Sequence, residues 1–132
     1  MRTKLLIAAF FSITTLLSSC KKDDLEIKDG TYKGTFTVTY NSGTQIGQTT
    51  LELNNGKFSC SGNTNRIPAG GSGTFSSDNK KITFNDENTW TADFDWNLIL
   101  SGKYDYTFDG KNLIISADKN GIGNYKYDLE KQ

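Results

Sequence analysis

The chain has 132 residues, 15 basic and 15 acidic side chains, two cysteines and no histidine. That length admits one domain, and balanced charge without a long basic run excludes the electrostatic footprint of a nucleic-acid partner. Without histidine, the residue best suited to neutral-pH acid–base work and the commonest metal ligand are both missing, so no enzyme, no metal and no cofactor is expected.

Arg2 and Lys4 open the chain with positive charge. The run from Leu5 to Leu17 is apolar apart from Ser12, Thr14 and Thr15, and Ser18 and Ser19 follow. This order is that of a secretory signal, and the apolar run is shorter than the roughly 20 residues a spanning helix needs. Leu17-Ser18-Ser19-Cys20 resembles the lipobox of bacterial lipoproteins. The resemblance implies cleavage before Cys20, lipidation of its thiol and membrane attachment through that N-terminal anchor; several acyl chains anchor stably where one does not. Lys22-Asp23-Asp24 resembles the export signal that sends some Gram-negative lipoproteins to the outward-facing side of the outer membrane. Residues 1–19 are therefore read as signal peptide, 20–29 as acylated cysteine and flexible tether, and 30–132 as the domain.

From Gly30 onward the apolar period is that of strands. Tyr32, Gly34, Phe36, Val38 and Tyr40 alternate with Lys33, Thr35, Thr37 and Thr39, and Asn41-Ser42-Gly43 breaks the run. A second strand carries Thr49, Leu51 and Leu53. Asn54-Asn55-Gly56-Lys57 then reads as a hairpin turn, because Asn and Gly tolerate the positive φ that such turns require. The third strand is Phe58 to Gly62, with Cys60 on the same side as Phe58 and best suited to burial, since no histidine can activate it. Residues 63–71 form a loop. Gly73-Thr74-Phe75 and Lys81-Ile82-Thr83-Phe84 make a further hairpin around Ser77-Asp78-Asn79-Lys80. The even positions from Trp90 to Phe108 are then mostly apolar, which predicts one long strand or a strand pair bent at Gly102. Asp109-Gly110-Lys111-Asn112 turns into Leu113-Ile114-Ile115, and Tyr125, Tyr127 and Leu129 alternate in the last strand.

Eight or nine short strands with tight turns and no convincing helix predict an all-β fold. The expected architecture is a single antiparallel up-and-down meander closing into a barrel, which removes exposed edges; a β-sandwich is the alternative. The opening Gly30-Thr31-Tyr32-Lys33-Gly34-Thr35-Phe36 and the Tyr104–Leu113 hairpin resemble the lipocalin-like domains of small bacterial lipoproteins. Lipocalins place a tryptophan where this chain has Tyr32 and a late arginine against it; no arginine follows Arg66 here.

An eight-stranded barrel is just wide enough to be filled by its own side chains or to hold one small ligand. The inferred inner face carries Tyr32, Phe36, Tyr40, Phe58, Phe75, Phe84, Trp96, Tyr104, Tyr106, Phe108, Tyr125 and Tyr127. Tyr32, Phe36, Trp96, Tyr104 and Tyr106 are the candidate contacts for a small lipophilic ligand, with Gly34, Gly73, Gly102 and Thr49 leaving room for it. The competing reading is a filled barrel acting on a protein partner through its outer surface, as an interaction or inhibitor module. Asp93, Asp95 and Asn97 have the opening spacing of an EF-hand loop, but Leu98 and Tyr104 stand where its glycine and glutamate belong. They are expected to share a solvated outer strand face.

Overall fold

The structure, a computed structural model, describes residues 25–132. The signal segment 1–19, Cys20 and Lys22-Asp23-Asp24 lie outside the described residues. The strands are β1 (Gly30–Tyr40), β2 (Gly43–Asn54), β3 (Lys57–Cys60), β4 (Gly71–Ser77), β5 (Lys81–Asp86), β6 (Gly102–Phe108), β7 (Asn112–Lys119) and β8 (Gly123–Lys131). Each pairs with its sequence neighbour, and β1 also pairs antiparallel with β8 through Phe36↔Tyr127 and Val38↔Tyr125. The sheet is thus a closed up-and-down barrel of the lipocalin-like kind, and closure rules out the sandwich.

Local chemistry places the turns where the sequence signals them. Asn55 and Gly56 adopt φ of 54° and 78°, the left-handed pair that lets a two-residue hairpin follow the twist of its strands. Asp109 holds the β6–β7 turn by accepting from the backbone N–H groups of Lys111 (2.9 Å) and Asn112 (2.6 Å). The Asn112 side-chain amide, followed by those two backbone bonds, holds its exposed carboxyl down to about 2.

The lumen is full. Tyr32, Phe36, Leu51, Ile82, Tyr125 and Tyr127 are completely buried, and Phe84, Tyr104 and Phe108 nearly so. Their rings meet edge-on, Phe58 on Phe84 at 4.9 Å and Tyr32 on Phe108 at 5.9 Å, the orientation that brings a ring's positive edge to its neighbour's negative face. Tyr32 packs in this way and donates its hydroxyl to the carbonyl of Lys28. Gly34 creates no pocket: an added Cβ would lie 2.1 Å from the Asp128 carbonyl, so the glycine is needed where β1 and β8 backbones approach.

Both ends are stoppered. Residues 25–29, expected as part of a flexible tether, lie against the barrel. Ile27 belongs to the core, the Leu25 N–H reaches the Phe108 carbonyl at 3.3 Å, and Asp29 accepts from the Asn55 N–H at 2.9 Å. This tether end also carries the β2–β3, β4–β5 and β6–β7 turns. The opposite end carries the two long connections, 61–70 and 87–101, which join each other: Ala69 N–H to Leu98 O at 3.0 Å and Leu100 N–H to Gly70 O at 2.9 Å. Ile67, Leu98 and Leu100 are buried beneath them.

The sequence expectation fails at 90–100. No strand forms there; the segment is a loop with a 3-10 turn at Trp96–Leu98. Its alternation of apolar and polar residues has the period of a strand, but three consecutive residues, Leu98, Ile99 and Leu100, are buried as a cap on the mouth. Gly102, at φ +94°, then turns the chain into β6.

Candidate functional site

The lumen and the mouth are the two candidate sites, and the lumen's expected ligand contacts prove to be core. Tyr32 and Phe36 are completely buried against other rings. Tyr106 is buried at the tether end, its hydroxyl donating to the Asp78 carbonyl at 2.9 Å. Burial is the main reason the phenols of Tyr32 and Tyr106 are shifted upward. Tyr104 is buried at the centre, its face covered by the Lys119 ammonium 4.4 Å from the ring centroid. Desolvation pulls that ammonium's pKa down, and its bond to the Ser101 carbonyl (3.2 Å) satisfies one donor. Trp96 is the exception: expected on the inner face, it stands on the mouth loop with 56% of its surface exposed.

The centre of the barrel keeps a few polar atoms. Thr49, expected to leave space, is buried and donates to the Ser61 carbonyl at 2.7 Å, with its oxygen 3.3 Å from the Cys60 sulfur. Burial lifts the Cys60 thiol to about 11, against the lowering effect of Thr49, so this sulfur is an inert core group. The Tyr104 and Tyr127 hydroxyls are buried without a hydrogen-bond partner among the described residues. Desolvation accordingly raises both phenols.

The mouth is built by residue contacts that alternation could not reveal. Asp95 Oδ2 accepts from the hydroxyls of Tyr40 (2.8 Å) and Tyr125 (2.7 Å), one from β1 and one from β8. Its Oδ1 accepts from the Asn97 N–H at 2.9 Å and caps the 3-10 turn. Partial desolvation would raise this carboxyl, but the two phenols and the cap outweigh it and the pKa is lowered. For the phenols, desolvation and the facing carboxylate act together, pushing Tyr40 up to about 12 and Tyr125 higher. Asp93 points elsewhere. It pairs with Arg66 at 2.9 Å on the surface, also accepts from Thr91, and is held down to about 2. The Arg66 guanidinium stacks over Phe94 at 4.3 Å. Asp93, Asp95 and Asn97 thus do not converge, and among the described residues no acidic or cysteine cluster has metal-binding geometry.

Beside this latch runs a groove of about 590 Å³, lined by Trp90, Trp96, Asp86, Asn88, Asn97 and Ser101 together with Thr89, Ile99 and Gly102. Asp86 organises one wall, accepting from Trp90 Nε1 (2.6 Å), the Asn88 amide (2.7 Å) and the Ser72 N–H (2.9 Å). Trp96 Nε1 donates to the Thr91 carbonyl at 2.8 Å. The other clefts lie at the barrel ends too; a smaller one of about 240 Å³ sits between Glu26 and the β4–β5 turn at the tether end.

Comparison with protein-family models, curated proteins and solved structures finds no match.

Sequence reading missed Asp86, Tyr40 and Asp95 as parts of one mouth structure. A usable signal existed for Asp95: an aspartate two residues before an asparagine and ahead of a Leu-Ile-Leu run is the pattern of a capped turn. The partners of that aspartate lie 55 and 30 residues away along the chain, which no local pattern encodes.

Proposed function

We propose that the chain is an exported lipoprotein, anchored through Cys20 on the outward side of the outer membrane, whose filled barrel is a non-catalytic recognition module working through its outer, loop-end surface. The observation that carries this reading is the packed lumen: completely buried rings occupy the space a lipophilic ligand would need. The chain's direction adds to it. The segment nearest the anchor docks at one end of the barrel, and the groove opens at the other, so a membrane-attached domain would present the groove away from the bilayer.

Holding a small lipophilic ligand inside would require displacing the ring cluster around Phe36, Phe84 and Tyr127. Emptying even one such site costs about 3–5 kcal/mol. The test has two parts. Cells fed labelled palmitate should label the wild-type protein and not Cys20→Ala, and protease added to intact cells should remove the domain. The purified protein, incubated with envelope lipid extract, should show in native spectrometry only its covalent mass, acyl groups on Cys20 included, with no further lipid bound. Absence of label or protection from protease defeats the anchoring and surface display; a stoichiometric lipid that leaves only on denaturation defeats the filled-barrel reading.

A further inference from the structure

We infer that the groove beside Trp90 and Trp96 is a saccharide-binding site, taking a neutral, hydroxyl-rich pyranose chain; this deepens the reading of the loop end as the working surface and rests on it. The first observation is Trp96. A large indole left 56% exposed loses hydrophobic stabilisation, and here it is also held still. It sits on a 3-10 turn capped by Asp95, with its ring nitrogen tied to the Thr91 carbonyl. A ring fixed before binding gives up little freedom on binding, which is how exposed aromatic platforms gain affinity.

The second observation is the mixture of groups around it. The Asp86 carboxylate and the side-chain amides of Asn88 and Asn97 share the groove with the two indoles. A pyranose has the same dual character. Its C–H faces carry slight positive charge and stack on the negative face of an aromatic ring. Its hydroxyls accept from amide N–H groups and donate to amide oxygens and to the acceptor site that Asp86 has left beside its three donors. The Trp90 ring is itself fixed, by its bond to Asp86 and an edge-to-face contact with Phe94 at 5.9 Å. The volume of about 590 Å³ falls within the roughly 300–1,000 Å³ typical of small-molecule sites.

Other ligand classes fit worse. Among the described residues no lysine or arginine is part of the lining, and the Lys119 ammonium behind Ser101 is engaged by the Ser101 carbonyl and the Tyr104 ring. A phosphate or carboxylate ligand would therefore face the Asp86 charge. A fatty chain would strip water from the Asp86 charge and from the polar side chains of Asn88 and Asn97 with no new partner to offer them. A cation would find the Asp86 charge already spread over three donors.

The chain contains two tryptophans and both line this groove, so tryptophan emission, excited beyond the absorption of the six tyrosines, reports on the groove. Full-length protein, solubilised in a detergent without a sugar headgroup, is titrated with cellohexaose, maltohexaose, xylohexaose and mannohexaose. At least one should give a saturable shift in tryptophan emission. Isothermal calorimetry with that sugar should show Trp96→Ala weakening binding about tenfold or more, and Trp96→Phe recovering part of it. The exposed position of Trp96 predicts an unchanged unfolding midpoint for both variants. No saturable response to any of the four sugars, or equal affinity in Trp96→Ala, overturns the proposal. Failure of protease shaving on cells would instead defeat surface display and leave this titration standing.

Discussion

Replacing Asp95 with alanine should open the mouth of the barrel. The carboxylate ties β1 and β8 to the 87–101 loop through Tyr40 and Tyr125 and caps the turn through Asn97, all at 2.7–2.9 Å. Hydrogen bonds to a charged group contribute about 1.5–3 kcal/mol each, and a cap about 1 kcal/mol. The full sum overstates the loss, because Tyr40 is half-buried and water can reach its hydroxyl once the carboxylate is gone. Tyr125 is completely buried as a residue and has less recourse. The expected loss is therefore about 2–4 kcal/mol, a large share of the ~5–15 kcal/mol that holds a typical domain together. For a domain near 100 residues this lowers Tm by roughly 10–20 °C.

Urea unfolding followed by far-ultraviolet circular dichroism measures the loss, and a cycle with Tyr125→Phe isolates the bond. Asp95→Ala should cost less by about 1–2 kcal/mol in the Tyr125→Phe background, since the two variants remove the same interaction. Tryptophan emission of Asp95→Ala should also shift to the red as Trp96, the next residue, is freed. A destabilisation under about 0.5 kcal/mol, or strictly additive variants, would refute the latch.

Three further outcomes follow from the same geometry. Tyr127→Phe should be neutral or stabilising by up to about 1–2 kcal/mol in thermal melts, because the lost hydroxyl is buried and unpartnered; a loss above 1 kcal/mol would mean that hydroxyl has a partner. At alkaline pH the latch phenols, protonated in the fold with Tyr40 at about 12, give stability that is fully present below the ordinary tyrosine value near 10 and fades toward 12. Melts across that interval should lose part of their slope in a Tyr40→Phe, Tyr125→Phe double variant, the buried phenols of Tyr32, Tyr104, Tyr106 and Tyr127 keeping the rest, and an unchanged slope counts against the assignment. Finally, Cys60 in a Cys20→Ser background should resist thiol reagents at pH 8 until urea unfolds the chain; prompt native labelling would contradict its burial and raised pKa.

The strands and their inward faces were legible because a strand's side chains alternate with period two, so Tyr32, Phe36, Tyr104, Tyr106 and Tyr127 declare their face one residue at a time. The turns at Asn55-Gly56 and Asp109 were legible because their residues satisfy a local backbone demand. Trp96 was misplaced for the same reason the others were right. Period two assigns a face only if the backbone finds a partner strand, and 90–100 finds the 61–70 loop instead.

The meander, the parity of each strand and the tight turns depend on neighbours a few residues apart and are written in the chain locally. Whether the lumen is empty follows from packing in three dimensions, because ring volumes from all eight strands meet at one axis. The same packing joins Asp95 to Tyr40 and Tyr125 and leaves Trp96 facing water. Those contacts form between residues far apart in the chain, and packing around a closed barrel brings them within hydrogen-bond reach.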